Sequence, residues 1–295
     1  MRFRLGGLGG LVLPGALLAW QASGAPAPVG GAAPESEAAL YRLNGPSPWK
    51  QVRPIENPGY RVALSSPDGT TLDVRVVVDG RPLRDDQAFP VPASSLPEEL
   101  KGTVSRRPDE DLDRLSRFLT RGARSALEAV ERVVGYTSRR IHYERPGLGA
   151  ETAAATLARG RGSCVGRSLL AEELIARAGI PARQVTGILT ASTPEELPEE
   201  ARGYWDAAIS GVRHRWIEAY VAGLGWVPSD PAGLANTVTA RYLALPGPPG
   251  PDFGLAVLSR TAELRRPRLD LVGQGVALGR PRSAGPAPAE AGYRR

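Results

Sequence analysis

With 295 residues, of which 42% are hydrophobic and 23% charged, the chain can bury a sizeable core, which excludes an intrinsically disordered protein. The formal net charge of +6 comes almost entirely from scattered arginines without an aromatic platform, so no nucleic-acid partner is expected. One cysteine cannot form an internal disulfide, and with two histidines it falls short of a zinc set. Because phosphate loops and dinucleotide fingerprints are also missing from the sequence, we expect neither a metal nor another cofactor.

The first 25 residues have the layout of a secretory signal peptide. Two arginines open the segment, an apolar run follows over 5–20, and small residues around Ala25 close it. The run is shorter and more interrupted than the roughly 20 apolar residues of a membrane span. We therefore predict a signal peptide over 1–25, a secreted or periplasmic protein of the cell envelope, and no stable membrane span after leader removal. Anchoring by an uncleaved leader is the alternative.

Two regions are predicted between the leader and the main domain. Residues 26–58 are rich in Pro, Gly and Ala without a sustained period, which is typical of a linker. Residues 59–108 are predicted to form a small β-rich region. Within it, strands over 60–64 and 72–78 are separated by a Ser-Pro-Asp-Gly turn.

The segment 109–245 is predicted to be the domain that carries the chemistry. Its first third repeats apolar residues at three- to four-residue spacing, which predicts two successive helices. Residues 152–160 indicate a further short helix, stopped by glycine. Ser163 can cap the next helix, which begins at Cys164, continues with a stripe of apolar residues and ends at Gly179.

Three strands and an insertion follow this helix. Strands are predicted over 184–189, 214–221 and 226–230, the last two joined by a Gly-Leu-Gly turn. Residues 191–211 form a polar insertion between the first two of these strands. From this position we expect the insertion to form a flap over the cleft.

The end of the chain is predicted to contribute little to the chemistry. Residues 246–280 are interpreted as a C-terminal extension with strands over 255–258 and 269–272. Residues 281–295 are rich in Pro, Gly and Ala and are predicted to be a disordered tail.

The position of Cys164 favours a reactive thiol. A thiol is a nucleophile only as thiolate, and the free N–H groups and dipole of a helix N-terminus stabilise that anion. Gly162 and Gly166 flank the cysteine and would let a substrate approach closely. The alternative is a small, buried core residue, which is the usual role of a lone cysteine.

A thiol nucleophile needs a base, and the sequence offers His142 and His214. His214 opens a predicted strand and would be held rigidly, whereas His142 ends a helical stretch and is predicted to be exposed. Asp230 follows in the partner strand. A hairpin loop centred on Ala222 would place Asp230 directly across from His214, where its carboxylate can orient the imidazole ring.

Four short motifs lie at residues 162–164, 176–183, 214–220 and 225–231. In this order and at these separations, they resemble the motifs of the transglutaminase-like superfamily, and in particular of its bacterial cysteine peptidase domains. The resemblance covers roughly residues 110–235. It implies an α+β fold with a papain-like core, in which the catalytic cysteine begins a helix that packs on an antiparallel sheet.

The resemblance also implies roles and an activity. Cys164 would be the nucleophile, His214 the base and then the acid, and Asp230 the orienting carboxylate. The expected activity is attack on an amide bond of a peptide or protein substrate through an acyl-enzyme, with hydrolysis favoured. Animal transglutaminases use an indole upstream of the cysteine, and here the upstream tryptophans are Trp20 and Trp49. Cross-linking as a protein-glutamine gamma-glutamyltransferase is the first alternative, and a non-catalytic binding or assembly module with the same fold is the second.

Two charged residues near these motifs allow two interpretations each. Arg167 follows the cysteine by three positions and could favour a carboxylate or acidic substrate, or could be solvated. Glu218 shares the predicted strand face of His214 and could support the imidazole, or could equally be solvated.

Overall fold

The computed structural model describes residues 36–45, 50, 52–69, 71–85, 88–104, 106–145, 151–247 and 252–264. The predicted signal peptide (1–25), the strand predicted over 269–272 and the predicted tail (281–295) lie outside the described residues. All described residues belong to one compact unit that begins after Ala33.

The described part of the chain contains both strands and helices. Its strands are β1 (Ser36–Asn44), β2 (Ile55–Asn57), β3 (Tyr60–Ser65), β4 (Leu72–Asp79), β5 (His142–Tyr143), β6 (Arg161–Gly162), β7 (Ala182–Thr190), β8 (Gly211–Val221), β9 (Gly225–Ser229), β10 (Tyr242–Leu245) and β11 (Gly254–Arg260). Its α-helices are α1 (Glu98–Lys101), α2 (Glu110–Thr120), α3 (Ala126–Arg140), α4 (Ala153–Arg159) and α5 (Cys164–Arg177). The helices and strands predicted between 109 and 230 are thereby confirmed, with bounds that shift by a few residues.

A five-stranded antiparallel sheet has the order β11-β1-β4-β3-β2. The strands predicted over 60–64 and 72–78 are confirmed as β3 and β4. The linker predicted over 26–58 is wrong at β1, which pairs with strands on both sides. Its inward residues Ala39, Tyr41 and Leu43 are buried and alternate with less buried ones, a period of two that the surrounding Pro- and Gly-rich composition conceals.

The last described strand, β11, returns to this sheet and pairs with β1. The strand predicted over 255–258 is therefore confirmed, but it is not part of a separate extension. It forms one edge of the sheet that the first described strand joins.

A second antiparallel sheet has the order β10-β7-β8-β9. Its strands contribute to two hydrophobic clusters, so strand β8 is buried on both faces. One cluster joins the two sheets and includes Tyr41, Val74, Ile188, Trp216 and Leu243. The other joins the second sheet to helices α2, α3 and α5 and includes Val130, Leu170, Leu174, Ile217 and Val227. This arrangement confirms the predicted α+β papain-like core with a helix packed on an antiparallel sheet.

Helix α5 is the buried helix of the second cluster. Ser163 is its N-cap, and the serine hydroxyl accepts a hydrogen bond from the N–H of Val165 at 3.1 Å, as predicted. Leu170 and Leu174 are fully buried, and each such side chain contributes roughly 1.5–3 kcal/mol of hydrophobic stabilisation. The chain leaves the helix through Gly179 at φ +83°, a conformation that favours glycine. The first residue of α5, Cys164, is thus held by a firmly packed element.

Among the residues that the structure describes, none of the helices combines the length and the apolar character that a bilayer crossing requires.

Candidate active site

Cys164 is the first residue of α5, and a network beneath it fixes the start of the helix. The backbone N–H of Ser163 donates to Glu151 Oε1 at 2.9 Å, and the serine hydroxyl donates to the other carboxylate oxygen. A Cβ atom on Gly166 would lie 2.7 Å from both Glu151 Oε1 and Thr156 Oγ1. The glycine after the cysteine therefore makes room for Glu151 and Thr156, rather than for a substrate as the sequence suggested.

His214 lies on β8, and its ring is packed between aromatic side chains. The Trp216 ring is stacked at a centroid distance of 6.3 Å, and the Tyr242 ring meets the imidazole edge-on at 5.6 Å. The imidazole Nε2 lies 2.8 Å from Asp230 Oδ2. The imidazole also interacts with the Cys164 thiol, which lines the same cavity.

Asp230 follows β9 directly and is buried. Besides the imidazole, its carboxylate accepts hydrogen bonds from the Tyr242 hydroxyl at 2.5 Å and from the N–H of Ala232 at 2.9 Å. Its own backbone N–H donates to the carbonyl of Leu234 at 2.6 Å. A carboxylate with three donors remains ionised and holds one orientation, which also fixes the ring that it contacts.

The hairpin between β8 and β9 has a different register from the predicted one. Its pairs include Ile217 with Ser229 and Val221 with Gly225, so the loop is centred on Gly223 rather than on Ala222. Continued by one residue, this register puts Asp230 opposite residue 216 and diagonal to residue 214. Because the pairing moved by two residues, Asp230 keeps the face of His214 and reaches the ring along the strand.

Tyr242 is a residue of the candidate site that the sequence did not indicate, since its hydroxyl donates to Asp230. It begins β10, on the opposite edge of the sheet from β9, and no motif or periodicity links it to Asp230. Tyr60 of the five-stranded sheet donates its hydroxyl to the Tyr242 carbonyl at 2.7 Å. The first sheet thereby supports the tyrosine that holds the carboxylate.

The pKa shifts of the thiol and the imidazole favour a charged pair. Burial raises the pKa of the Cys164 thiol, but the hydrogen bond and the charge of His214, with the N–H of Arg215, outweigh burial and hold the pKa below its usual value. Burial lowers the pKa of His214, but the charge and hydrogen bond of Asp230 outweigh it and raise the pKa to about 10. Between these two pKa values the pair is thiolate and imidazolium.

The burial of Asp230 raises its pKa, but the charge and hydrogen bond of His214 and the hydrogen bond of Tyr242 outweigh this, so the pKa is lowered. Between this lowered pKa and the pKa of His214, the carboxylate is ionised and the imidazole is protonated, so the two groups carry opposite charges.

A cavity of about 460 Å³ opens beside the thiol and the imidazole. Part of its lining comes from the insertion 191–211, namely Pro198, Glu200, Ala201, Tyr204, Asp206 and Ile209. The insertion therefore forms a wall of the cavity, as expected of a flap. Leu197 and Ile209 are buried in the core, and Trp205 Nε1 donates to the carbonyl of Ala191 at 3.0 Å. The wall is thus packed into the fold and is not a loosely attached lid.

The structure also gives the positions of the other residues that the sequence singled out. His142 is exposed, as predicted. Glu218 is buried, contacts Arg183 at 2.7 Å and accepts from Asn57 at 2.6 Å, so both interpretations of Glu218 were wrong. Arg167 is buried and lines the cavity, so the solvated interpretation was wrong for it as well. Within the described ranges, no cluster of three or more His, Cys, Asp and Glu side chains could hold a metal ion.

Residues 113–231 match the family model described as the transglutaminase-like superfamily. An uncharacterized protein of Haemophilus influenzae is 34% identical over 83 residues, which are 26% of this chain and 22% of that protein. A proposed cysteine protease from Cytophaga hutchinsonii is similar at 15% identity and a TM-score of 0.43, over 79% of this chain and 90% of that one. The periplasmic domain of TgpA from Pseudomonas aeruginosa, bound to ethylmercury, is similar at 15% identity and a TM-score of 0.38, over 68% of this chain and 90% of that one. Red sea bream transglutaminase is similar at 13% identity and a TM-score of 0.32, over 70% of this chain and 47% of that one.

Proposed function

Since residues 113–231 belong to the transglutaminase-like superfamily, we propose that this protein is a thiol enzyme that attacks amide bonds of peptides or proteins. One observation carries the proposal. Cys164, His214 and Asp230 line the same cavity, and Nε2 of the His214 ring lies 2.8 Å from Asp230 Oδ2. Residues far apart along the chain thus supply a nucleophile, a proton carrier and an orienting carboxylate in one chain of contacts.

The reaction follows from this chain of contacts. The Cys164 thiolate attacks the amide carbonyl carbon, and the backbone N–H of Cys164 at the helix N-terminus donates to the developing oxyanion. The His214 imidazolium gives its proton to the leaving amine as the C–N bond breaks, which leaves a thioester on Cys164. Neutral His214 then takes a proton from water, whose oxygen attacks the thioester. The carboxylic acid leaves, and the thiolate and imidazolium are restored.

We propose that water, rather than an amine, resolves the thioester. None of the described residues that line the cavity is a tryptophan, the residue that animal transglutaminases place upstream of the cysteine. With a glutamine-donor peptide and a labelled primary amine at millimolar concentration, the purified protein is expected to release more hydrolysed product than labelled adduct. Mass spectrometry of both products measures this partition.

The Cys164→Ala variant is the control for this assay, because it removes the sulfur and leaves the cavity in place. It is expected to release neither product above the uncatalysed rate. Labelled adduct in excess of hydrolysed peptide would reverse the assignment and make the protein a cross-linking transferase. Equal turnover by the Cys164→Ala variant would mean that the thiol is not the nucleophile.

We also propose that the protein is exported to the periplasm or the medium, supported by the signal-peptide pattern of residues 1–25. N-terminal sequencing of the protein from the envelope and from the medium is expected to begin near residue 26. A chain that retains Met1 and sediments with membranes would instead indicate an uncleaved anchor. Recovery of the protein with Met1 from the cytoplasm would contradict export.

A further inference from the structure

Arg167 lies three residues after Cys164 on α5, so both side chains lie on the same side of the helix, one turn apart. The Arg167 side chain lines the same cavity as Cys164 and His214. The residue is only 9% exposed, although arginine side chains at a protein surface are normally solvated. A guanidinium group is therefore built into the wall of the cavity beside the nucleophile.

The contacts of Arg167 hold the guanidinium group without neutralising it. Nε and Nη2 donate to the carbonyl of Ile141 at 3.1 and 2.7 Å, and the guanidinium carbon lies 5.8 Å from the centre of the Tyr143 ring. These bonds use two of the five N–H donors of an arginine, and among the residues that the structure describes no hydrogen bond of the other three is found. The carbonyl fixes the orientation of the planar group but supplies no countercharge.

Another arginine of the same helix, Arg177, has a side chain that is 5% exposed, and its charge is neutralised by carboxylates. Arg177 contacts the carboxylates of Asp113 and Glu173, the latter at 2.8 Å. No such ion pair with a carboxylate is found for Arg167 within the described part of the chain. The carboxylates whose charges act on Arg167 are those of Asp230, which contacts His214 and Tyr242, and of Glu200, which is exposed on the insertion.

A buried cation without a carboxylate partner is costly, and a ligand of opposite charge would offset that cost. Burial lowers the pKa of Arg167, although the charges of Asp230 and Glu200 act in the opposite direction. An arginine remains charged in spite of such a shift. The cavity therefore contains a fixed, desolvated positive charge one helical turn from the reactive sulfur.

We propose that Arg167 binds a carboxylate of the substrate close to the amide bond that Cys164 attacks, so that the enzyme acts on acidic peptides. This inference rests on the proposed function, because both concern the same cavity. The planar fork of the guanidinium group matches a carboxylate and pairs with it through two parallel hydrogen bonds. The carboxylate can be the free C-terminus of a peptide or the side chain of an Asp or Glu residue.

Two alkylating reagents of the same shape test the charge preference at Cys164, the one cysteine of the chain. Iodoacetate carries a carboxylate, and iodoacetamide carries a neutral amide in its place. In the native protein at pH 7, the ratio of the iodoacetate rate to the iodoacetamide rate is expected to exceed that of a free thiol. In the Arg167→Met variant, this ratio is expected to fall roughly 10- to 100-fold, the range for a charge-assisted hydrogen bond.

Two further variants separate recognition from structure and from net charge. Arg213→Met removes an exposed arginine at the edge of the same cavity, so it changes the net charge equally and is expected to alter the ratio less than threefold. Arg167→Lys keeps the charge, although without the fork, and is expected to restore part of the ratio. A purely structural role of Arg167 would slow both reagents alike and leave the ratio unchanged, which would overturn the proposal.

Matched peptides identify the source of the carboxylate. One pair differs only in a free or amidated C-terminus, and the other only in Glu or Gln next to the scissile bond. The native enzyme is expected to prefer the acidic member of one pair, and Arg167→Met is expected to abolish that preference. Equal hydrolysis of both members in both pairs would overturn the proposal. Slow reaction of native Cys164 with iodoacetamide would contradict the proposed function instead, since that reagent needs no carboxylate site.

Discussion

At pH 6, native Cys164 is expected to react with iodoacetamide roughly 100-fold faster than Cys164 of a His214→Gln variant. The reason is the charged pair. The pKa of the thiol is held below its usual value by His214, so a larger fraction of the sulfur is thiolate at this pH than in a free thiol. Glutamine cannot carry a positive charge, and burial alone would then raise the pKa of the thiol. The rate of alkylation over pH 5–9, followed by mass spectrometry, measures the difference.

The pH range of this effect follows from the directions of the two shifts. Thiolate is present above the lowered pKa of Cys164, and imidazolium is present below the pKa of His214, which is about 10. The alkylation rate should therefore rise at a lower pH than that of a free thiol and form a plateau above the pKa of Cys164. Above pH 10 the thiolate persists, but amide hydrolysis should decline because no imidazolium remains to protonate the leaving amine.

The matched control is His142→Gln, which removes the other histidine of the chain from an exposed position. It is expected to leave the alkylation profile unchanged. A native profile that rises like that of N-acetylcysteine, with little reaction at pH 6, would show that the thiol is not activated. In that case the non-catalytic binding module becomes the better interpretation of this fold.

The helix that carries Cys164 was predictable because several local signals agree. Ser163 can cap the helix, the apolar stripe has the helical period, and Gly179 supplies the positive φ that ends it. Such signals act within a few residues of the chain, so the sequence contains them completely. The prediction that His214 and Asp230 lie near the cysteine rested on the order of the motifs and on the alternation of faces along a strand. Both tolerate small errors in the predicted positions.

The details that could not be predicted depend on pairing between residues that are far apart along the chain. The loop 222–224 lies next to Gly225, and the Gly-Leu-Gly run is compatible with a centre at Ala222 or at Gly223. The pairing of the two whole strands decides between them, and residues outside the loop determine that pairing. Tyr242 was missed for the same reason, because its contact with Asp230 crosses from one edge of the sheet to the other.

The burial of ionic groups was a second feature that the sequence did not predict. Arg167 and Glu218 are polar residues near motifs, and in a sequence such residues look the same whether they are solvated or enclosed. Their burial results from strands and helices that assemble around them. Glu218 is enclosed because the neighbouring strand β7 brings Arg183 to it and β2 brings Asn57. Only the tertiary structure could distinguish a solvated charge from one that is held in place.

An Asp230→Asn variant is expected to hydrolyse peptides roughly 10³- to 10⁴-fold more slowly, because an amide cannot accept at both of its ends. One carboxylate oxygen accepts from the N–H of Ala232, and the other faces the Tyr242 hydroxyl and His214 Nε2. In either orientation, the NH₂ group of an asparagine would meet a donor. The ring would also lose the negative charge that raises its pKa, so the thiolate–imidazolium pair would weaken. Measurement of kcat/KM with the peptide substrates tests this.

Tyr242→Phe is the matched comparison, because it removes one of the three donors and leaves the carboxylate charged. Its hydroxyl touches Asp230 and not the thiol, so the residue acts by positioning. We expect a loss of about tenfold, the order of one hydrogen bond to a charged group, and faster alkylation at pH 6 than in Asp230→Asn. Thermal melting of both variants reports whether the fold is retained. If a folded Asp230→Asn protein kept kcat/KM within tenfold of the native value, the carboxylate would be dispensable, and the thiol and imidazole would have to act without an orienting partner.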